Sequence, residues 1–384
     1  MKVVYCLTDT SLAGGIERSI CTKANYLAEE AGYEVTILTT DRKAKQNFFD
    51  FSPHIKFIDL QINYSELDRL SAIERWAGQI KKRKIHRQKL NDVLLRIRPD
   101  IVISTYSHEF SILCDIKDGS KKIAEHHYSK SYVKIKNERE SLFSMKRICE
   151  TLEDKWKRKH ISKYDAFVVL THEAKIAWKK VHNIYVIPDP LPFFPSRFSN
   201  GEHKRIISVG HLTYHKGFQF LLEAWIKIAK KYPDWRLDIF GEGRYYEKLS
   251  RMIFAATMHD RIAIRPPTKD IQEEYINSSL YVMPSLYEGF GLVLTEAMAC
   301  GLPCISFDCP VGPGEIITHG EDGLLVECKN TDKLAEAISF LIQDIALRDE
   351  MRDNARVSAQ RYLPEKIMQR WISLFEQVTG TSGY

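Results

Sequence analysis

Apolar and polar positions along this chain follow two alternating rhythms. Short runs rich in β-branched and aromatic residues, at 3–7, 34–39, 55–60, 101–105, 122–125 and 166–170, carry the continuous hydrophobicity of strands buried on both faces. Between them apolar residues return every three or four positions over 16–30, over a stretch ending at Arg98 and Pro99, and over about 141–163. That is the spacing of helices with one buried stripe. The alternation predicts a parallel sheet with helices packed on its faces. Pro188, Pro190, Pro192 and Pro195 then crowd together, removing amide donors and stiffening the backbone as interdomain linkers do. A second series follows, with strands at 206–209, 236–240, 280–283 and 303–307 and helices near 218–231 and after Gly291. The pattern predicts two doubly wound α/β domains, over 1–187 and 204–363, joined by a linker at 188–203. A last stripe within 364–380, Ile367, Trp371, Leu374, Phe375 and Val378, is helical in period and must bury somewhere.

Length agrees with two domains, because 384 residues exceed the roughly 250 at which a single core stops growing. With 44 % hydrophobic and 28 % charged residues, disordered and collagen-like chains are excluded. The chain opens on a strand pattern and nowhere approaches the roughly 18 consecutive apolar residues of a membrane span, so neither a signal peptide nor a transmembrane helix is expected. Eight scattered cysteines with no Cys-x2-Cys pair read as reduced, mostly buried thiols. Cys300, Cys304 and Cys309 come nearest to a cluster, but they flank a helix end and a buried strand, and no metal site is expected. Charge is uneven: residues 1–200 hold 35 Lys+Arg against 25 Asp+Glu, and the rest hold 21 against 25. The basic excess crowds into 75–98 and 130–163. No recognised nucleic-acid motif accompanies it.

In an open parallel sheet, ligands bind beyond the carboxyl ends of the strands, so the turns there are the places to search. Four carry unusual residues. Gly14 and Gly15, within Ala13-Gly14-Gly15-Ile16-Glu17, open a helix after the first strand and serve either a tight turn or an anion at a helix amino end. Gly210, His211, Lys216 and Gly217 follow the first strand of the second domain, where a lysine just before a helix suits a phosphate. Gly241-Glu242-Gly243 follows the next strand; Tyr246 at the last position breaks the dinucleotide fingerprint, so a dehydrogenase cofactor is not expected. The fullest turn runs from Pro284 through Glu288, Gly289, Phe290, Gly291 and Leu292 into a helix bearing Glu296. Backbone amides there point at whatever occupies the crevice, and two ionised carboxylates can accept hydrogen bonds from sugar hydroxyls.

The Ala-Gly-Gly-Ile-Glu segment, the 209–217 turn, Glu-Gly-Phe-Gly-Leu-Val-Leu-Thr-Glu with its two glutamates eight positions apart, and Ala-Met-Ala-Cys-Gly-Leu-Pro resemble retaining glycosyltransferases of the GT-B fold, family 4. The resemblance spans essentially the whole chain. It implies two Rossmann-like domains, a nucleotide-sugar donor bound mainly by the second, an acceptor bound mainly by the first, a cleft that closes for reaction, and a final helix returning to the first domain. It implies that Lys216 contacts the donor diphosphate, Glu288 the transferred sugar and Glu296 the ribose. Amides at Phe290, Gly291 and Leu292 would hold sugar and phosphate, and Gly14 and Gly15 would leave room for the diphosphate. His126, in Ala124-Glu125-His126-His127-Tyr128, matches the place of a histidine near the reacting carbon, with His127 as its competitor.

Two positions depart from the family pattern. His211 stands where an arginine commonly follows the glycine, and Gly314 stands where relatives often carry another. No Asp-x-Asp occurs in the sequence, so transfer without a metal and without a cofactor is expected. The resemblance implies a UDP-sugar donor, with GDP-mannose as the rival. The acceptor expected is a glycan or a lipid-linked sugar of surface polysaccharide or lipopolysaccharide assembly. The basic first half suggests docking on an anionic membrane, on the cytoplasmic side, and no nucleic-acid partner. Two rival functions are a sugar-nucleotide epimerase or hydrolase of the same fold, and a basic binding protein with a vestigial donor site.

Overall fold

The computed structural model describes residues 1–42, 44, 46–128 and 155–381. It divides into two compact units, the first formed by 1–190 with 364–381 and the second by Leu191–Leu363.

Unit 1 carries seven described strands in the order β3-β2-β1-β4-β5-β6-β7, every pairing parallel. They are β1 (Lys2–Leu7), β2 (Glu34–Thr39), β3 (Lys56–Asp59), β4 (Ile101–Ser104), β5 (Lys121–His126), β6 (Ala166–Val169) and β7 (Ile184–Val186). Central strands are buried throughout because helices cover both sheet faces, which is why their sequences do not alternate. Helix α1 (Gly15–Glu29) leaves the end of β1, and helix α2 (Ala72–Ile97) precedes β4.

Unit 2 repeats the plan with six described strands in the order β10-β9-β8-β11-β12-β13. These are β8 (Arg205–Val209), β9 (Arg236–Phe240), β10 (Ile262–Arg265), β11 (Leu280–Met283), β12 (Cys304–Phe307) and β13 (Gly323–Val326). Helices α3 (Phe218–Ile228), α4 (Leu292–Ala299), α5 (Thr331–Gln343) and α6 (Ile345–Ala359) belong to it. In each sheet the strand order reverses beside the first strand, between β1 and β4 and between β8 and β11. That switch point opens a crevice at the carboxyl edge.

The terminal helix α7 (Pro364–Thr379) groups with unit 1, burying Ile367, Met368, Trp371, Leu374 and Phe375. Of the segment 188–203, read as linker from its prolines, residues 191–203 group with unit 2 and are strapped to it. The Arg356 guanidinium lies over the rings of Phe194 and Phe198, Leu191 N–H bonds the Tyr362 carbonyl, and the Ser199 hydroxyl bonds the Ser278 carbonyl. Proline density therefore marks a stiff segment here, with side chains that pack.

Cys6, Cys21, Cys300, Cys304 and Cys309 are buried free thiols, and burial raises their pKa values. Cys149 lies outside the described residues, as do the basic stretch from 130 to 154 and most of the helix expected over 141–163. Among the described residues no helix is long and apolar enough to cross a membrane.

Candidate active site

In unit 2 the residues singled out from sequence converge on the carboxyl edge. The turn after β8 places Lys216 in a short 3-10 segment that ends at Gly217. Gly217 has φ +70°, and an added Cβ would lie 1.8 Å from the Pro284 carbonyl, so only glycine lets this turn abut the loop leaving β11. Across that contact Lys216 Nζ sits 2.7 Å from Glu288 Oε1. Both side chains are largely enclosed, at 18 % and 9 % exposure, which makes the ion pair stronger than a surface one.

His215, which sequence reasoning passed over, locks the same junction. Its ring stacks on Tyr287 at 4.8 Å, its Nδ1 lies 3.0 Å from Thr213 Oγ1, and its carbonyl accepts the Leu286 N–H. Desolvation, then the Lys216 charge, lowers its pKa to about 4, so it acts as a neutral packing group. The same two causes lower the pKa of His211, which is therefore neutral at pH 7 where an arginine would be charged. Gly241 fits a close approach as well: Gly210 N–H bonds the Phe240 carbonyl and Leu212 N–H bonds that of Glu242, seating the Gly-x-Gly turn against the Lys216 turn.

Gly291, with φ +106°, is the N-cap of α4, where an L residue would be strained. All of α4 except Val293 is buried. Glu296 is buried within it and accepts a hydrogen bond from Tyr275 Oη at 3.2 Å. Phe290 is buried edge-on to Tyr362, and Gly312 leaves no room for a Cβ beneath the Phe290 carbonyl. Gly314 lies in a short helix, Pro313–Ile316, with Asp308 as the neighbour a side chain would meet.

Unit 1 presents a different construction at its carboxyl edge. Gly14 caps α1 and is buried against Glu17, while Gly15 faces open space. Burial raises the Glu17 pKa to about 7, an effect eased by its own backbone amide and by His127. His126 ends β5 in an aromatic surround, with Tyr106, Trp178, Phe167 and Tyr128 centroids 4.6, 5.5, 6.0 and 6.2 Å from its ring. Tyr106 holds φ +62° just after β4, a strained conformation of the kind that collects at functional sites.

The neighbouring His127 is committed elsewhere. Its Nε2 is 3.3 Å from Glu125 Oε1 and its Nδ1 3.8 Å from Asp189 Oδ2. Lys23, with no exposure at all, bonds Glu125 and lies 3.6 Å from Asp189, which also takes the Ser19 hydroxyl. Two cations and two anions thus close a buried neutral quartet, capped by Trp371 at 5.2 Å from Lys23 Nζ. Burial alone would lower the His127 pKa; Glu125 and Asp189 overcome it and raise it to about 9. His127 is therefore an imidazolium at pH 7. Glu125, His127 and Asp189 have the ligand atoms of a metal cluster, within 4.8 Å of one another, but the Lys23 ammonium already supplies their positive charge. No pattern in the sequence pointed to Lys23 or Asp189.

Residues 192–358, most of unit 2 including the Lys216 and Glu288 turns, match the family model described as "Glycosyl transferases group 1". A protein of Haemophilus influenzae described as an uncharacterized glycosyltransferase is 32 % identical over 377 residues, covering 96 % of this chain and 98 % of its own. This chain belongs to the glycosyltransferases. An exopolysaccharide phosphotransferase of Streptomyces coelicolor is 28 % identical over 99 % of this glycosyltransferase but only 41 % of its own length. Among solved structures, sucrose-phosphate synthase from Thermosynechococcus elongatus superimposes with TM-score 0.81 at 20 % identity, covering 99 % of this chain and all of its own. Staphylococcus aureus TarM, solved with UDP and alpha-GlcNAc-glycerol, does so with TM-score 0.78 at 16 % identity, covering 97 % and 99 %. These two share the GT-B fold with this glycosyltransferase.

Proposed function

We propose that this glycosyltransferase is a retaining family 4 enzyme. It moves a sugar from UDP-sugar to a glycan or lipid-linked acceptor of bacterial-type surface polysaccharide or lipopolysaccharide synthesis, working in the cytoplasm at the inner face of the cell membrane. The observation that carries this reading is the enclosed Lys216–Glu288 pair at the β8/β11 switch point, with Glu296 buried in the helix that starts beside it. Support for UDP comes from TarM, and for polysaccharide from the S. coelicolor relative.

Lys216 and the amides at Phe290, Gly291 and Leu292 neutralise the diphosphate as it departs, the step in which negative charge grows. Without an Asp-x-Asp to carry a metal, these groups supply the stabilisation themselves. Glu288, released from Lys216 as the phosphates arrive, accepts hydrogen bonds from the transferred sugar, and Glu296 those of the ribose. His126 lines the reacting carbon, and Gly14 and Gly15 leave space for phosphate oxygens. The bond from the anomeric carbon to the phosphate oxygen breaks, and a bond to the acceptor oxygen forms on the same face. The acceptor hydroxyl proton passes to the leaving phosphate, so atoms and charge balance without a cofactor.

A panel of nucleoside diphosphates and nucleotide sugars, ranked by thermal shift and then assayed with and without acceptor, tests this. UDP and one UDP-sugar should raise the melting temperature, with turnover only in the presence of acceptor. A shift with GDP alone would reassign the donor, and full-rate turnover without acceptor would make the chain a hydrolase or epimerase.

A further inference from the structure

Among the described residues, the first half of α2 has a face that none of them covers. Its anchoring stripe recurs every fourth residue: Gly78 against Leu67, Lys82 bonded to Glu66 and the Ile62 carbonyl, His86 bonded to Tyr64, then buried Leu90 and Leu94. On the opposite side, Ile73, Trp76 and Ile80 follow at spacings of three and four, and they are 81 %, 65 % and 54 % exposed. Isolated apolar residues on a surface need no explanation, but a stripe of an indole and two isoleucines does.

The same helical line runs on into charge. Lys84 and Arg87 continue the stripe one and two turns later, and Lys81 flanks it. Among the described residues Lys81 and Lys84 make no ion pair. Arg87 reaches Asp115 at 3.4 Å, and Arg83 reaches the Ser111 carbonyl. Between 64 and 89 the chain has Arg69, Arg75, Lys81, Lys82, Arg83, Lys84, Arg87 and Lys89 against Glu66, Asp68 and Glu74. Two of the three acids are engaged, Glu66 by Lys82 and Glu74 by the Ser71 cap.

We propose that this face of α2 docks on an anionic lipid bilayer, with Ile73, Trp76 and Ile80 entering the interface and Lys81, Lys84 and Arg87 meeting acidic headgroups. Trp favours the headgroup level, where its ring is in hydrocarbon and its N–H stays wet, and aliphatic side chains beside it add buried area. Lysines one turn away add attraction that a neutral bilayer or an apolar protein groove would not provide. Only the purpose rests on the transferase reading, since a docked unit 1 would meet a bilayer-held acceptor; the binding itself needs no catalysis.

The test is co-sedimentation of the full chain with phosphatidylcholine vesicles, with and without phosphatidylglycerol, at low and high salt. The chain should pellet with the anionic vesicles at low salt and return to the supernatant at high salt. Lys81→Gln with Lys84→Gln should weaken partitioning roughly thirtyfold, from about fivefold per lysine. Trp76→Ser with Ile80→Ser should weaken it on the order of tenfold. Because these positions are exposed, unchanged circular dichroism and melting would show that the variants fold. Failure to pellet with anionic vesicles would overturn the proposal, as would variants that bind like the parent. So would a concentration-dependent dimer that Trp76→Ser abolishes, which would give the face to a second copy.

Discussion

The carboxyl edges of the two sheets solve the same problem of holding polar groups in a crevice with opposite means. In unit 2 the groups sit in short glycine-bounded turns, where Gly217 and Gly291 bring backbone close enough to pair Lys216 with Glu288 beside a helix amino end. In unit 1 the edge is braced from behind, because Lys23, Glu125, His127 and Asp189 are all buried and tie α1, β5 and the segment after β7 together. A partly open ion pair can exchange its partner for a ligand. A closed quartet cannot, and it serves by keeping the backbone on either side of His126 in place.

Glu125→Ala should separate the two edges most widely. That change leaves Lys23 and His127 buried without their shared anion and should destabilise unit 1 by about 3–5 kcal/mol in urea unfolding. Lys216→Ala should cost less, about 1–2 kcal/mol, because its partner Glu288 keeps some exposure to solvent. Similar shifts from both would erase the distinction. Function should show the reverse contrast at Glu288→Gln, where kcat falls by roughly a hundredfold while UDP affinity changes little, because the contact proposed for Glu288 is with the moving sugar. A loss confined to UDP affinity would move Glu288 to the nucleotide.

Acidity separates the edges less strongly. The His127 pKa of about 9 exceeds its ordinary 6.5, so its stabilisation is complete below pH 6.5 and is lost as pH rises through 9. Asp189, held down near 2 against its burial, chiefly by His127 and then by Lys23 and Ser19, contributes above pH 3.8 and fails as pH falls through 2. Unfolding midpoints should therefore drop between pH 7 and 10, and Glu125→Gln should move the drop toward pH 7. An unchanged profile in that variant would show that the quartet does not hold the His127 proton. The smallest effect expected is at His211→Arg. Placing a fixed charge where the imidazole is neutral should tighten UDP about threefold by calorimetry, and weaker binding would mean that His211 has another task.

How much of this was readable beforehand follows from the range of the contacts. The unit 2 turns were legible because glycine, lysine and glutamate within single short segments carry the geometry, and only the pairing of Lys216 with Glu288, 72 positions apart, needed the fold. The quartet was not legible, since Lys23 and Glu125 are separated by 102 positions and Ser19 and Asp189 by 170. A lysine in the middle of α1 looks like any solvated residue until a sheet closes over it. Short strands escaped for a similar reason: β7 has three residues and β13 opens on glycine, too little pattern to stand out. The α2 face needed exposure values, because its isoleucines are also consistent with a buried stripe.

In the proposed reaction the unit 2 edge holds a nucleoside diphosphate. Titration calorimetry of UDP into the full chain, beside Lys216→Ala and Glu296→Ala, tests it directly. Binding to the parent with losses on the order of tenfold in each variant, through the diphosphate in one and the ribose in the other, is the predicted result. Equal UDP affinity in all three proteins would contradict it.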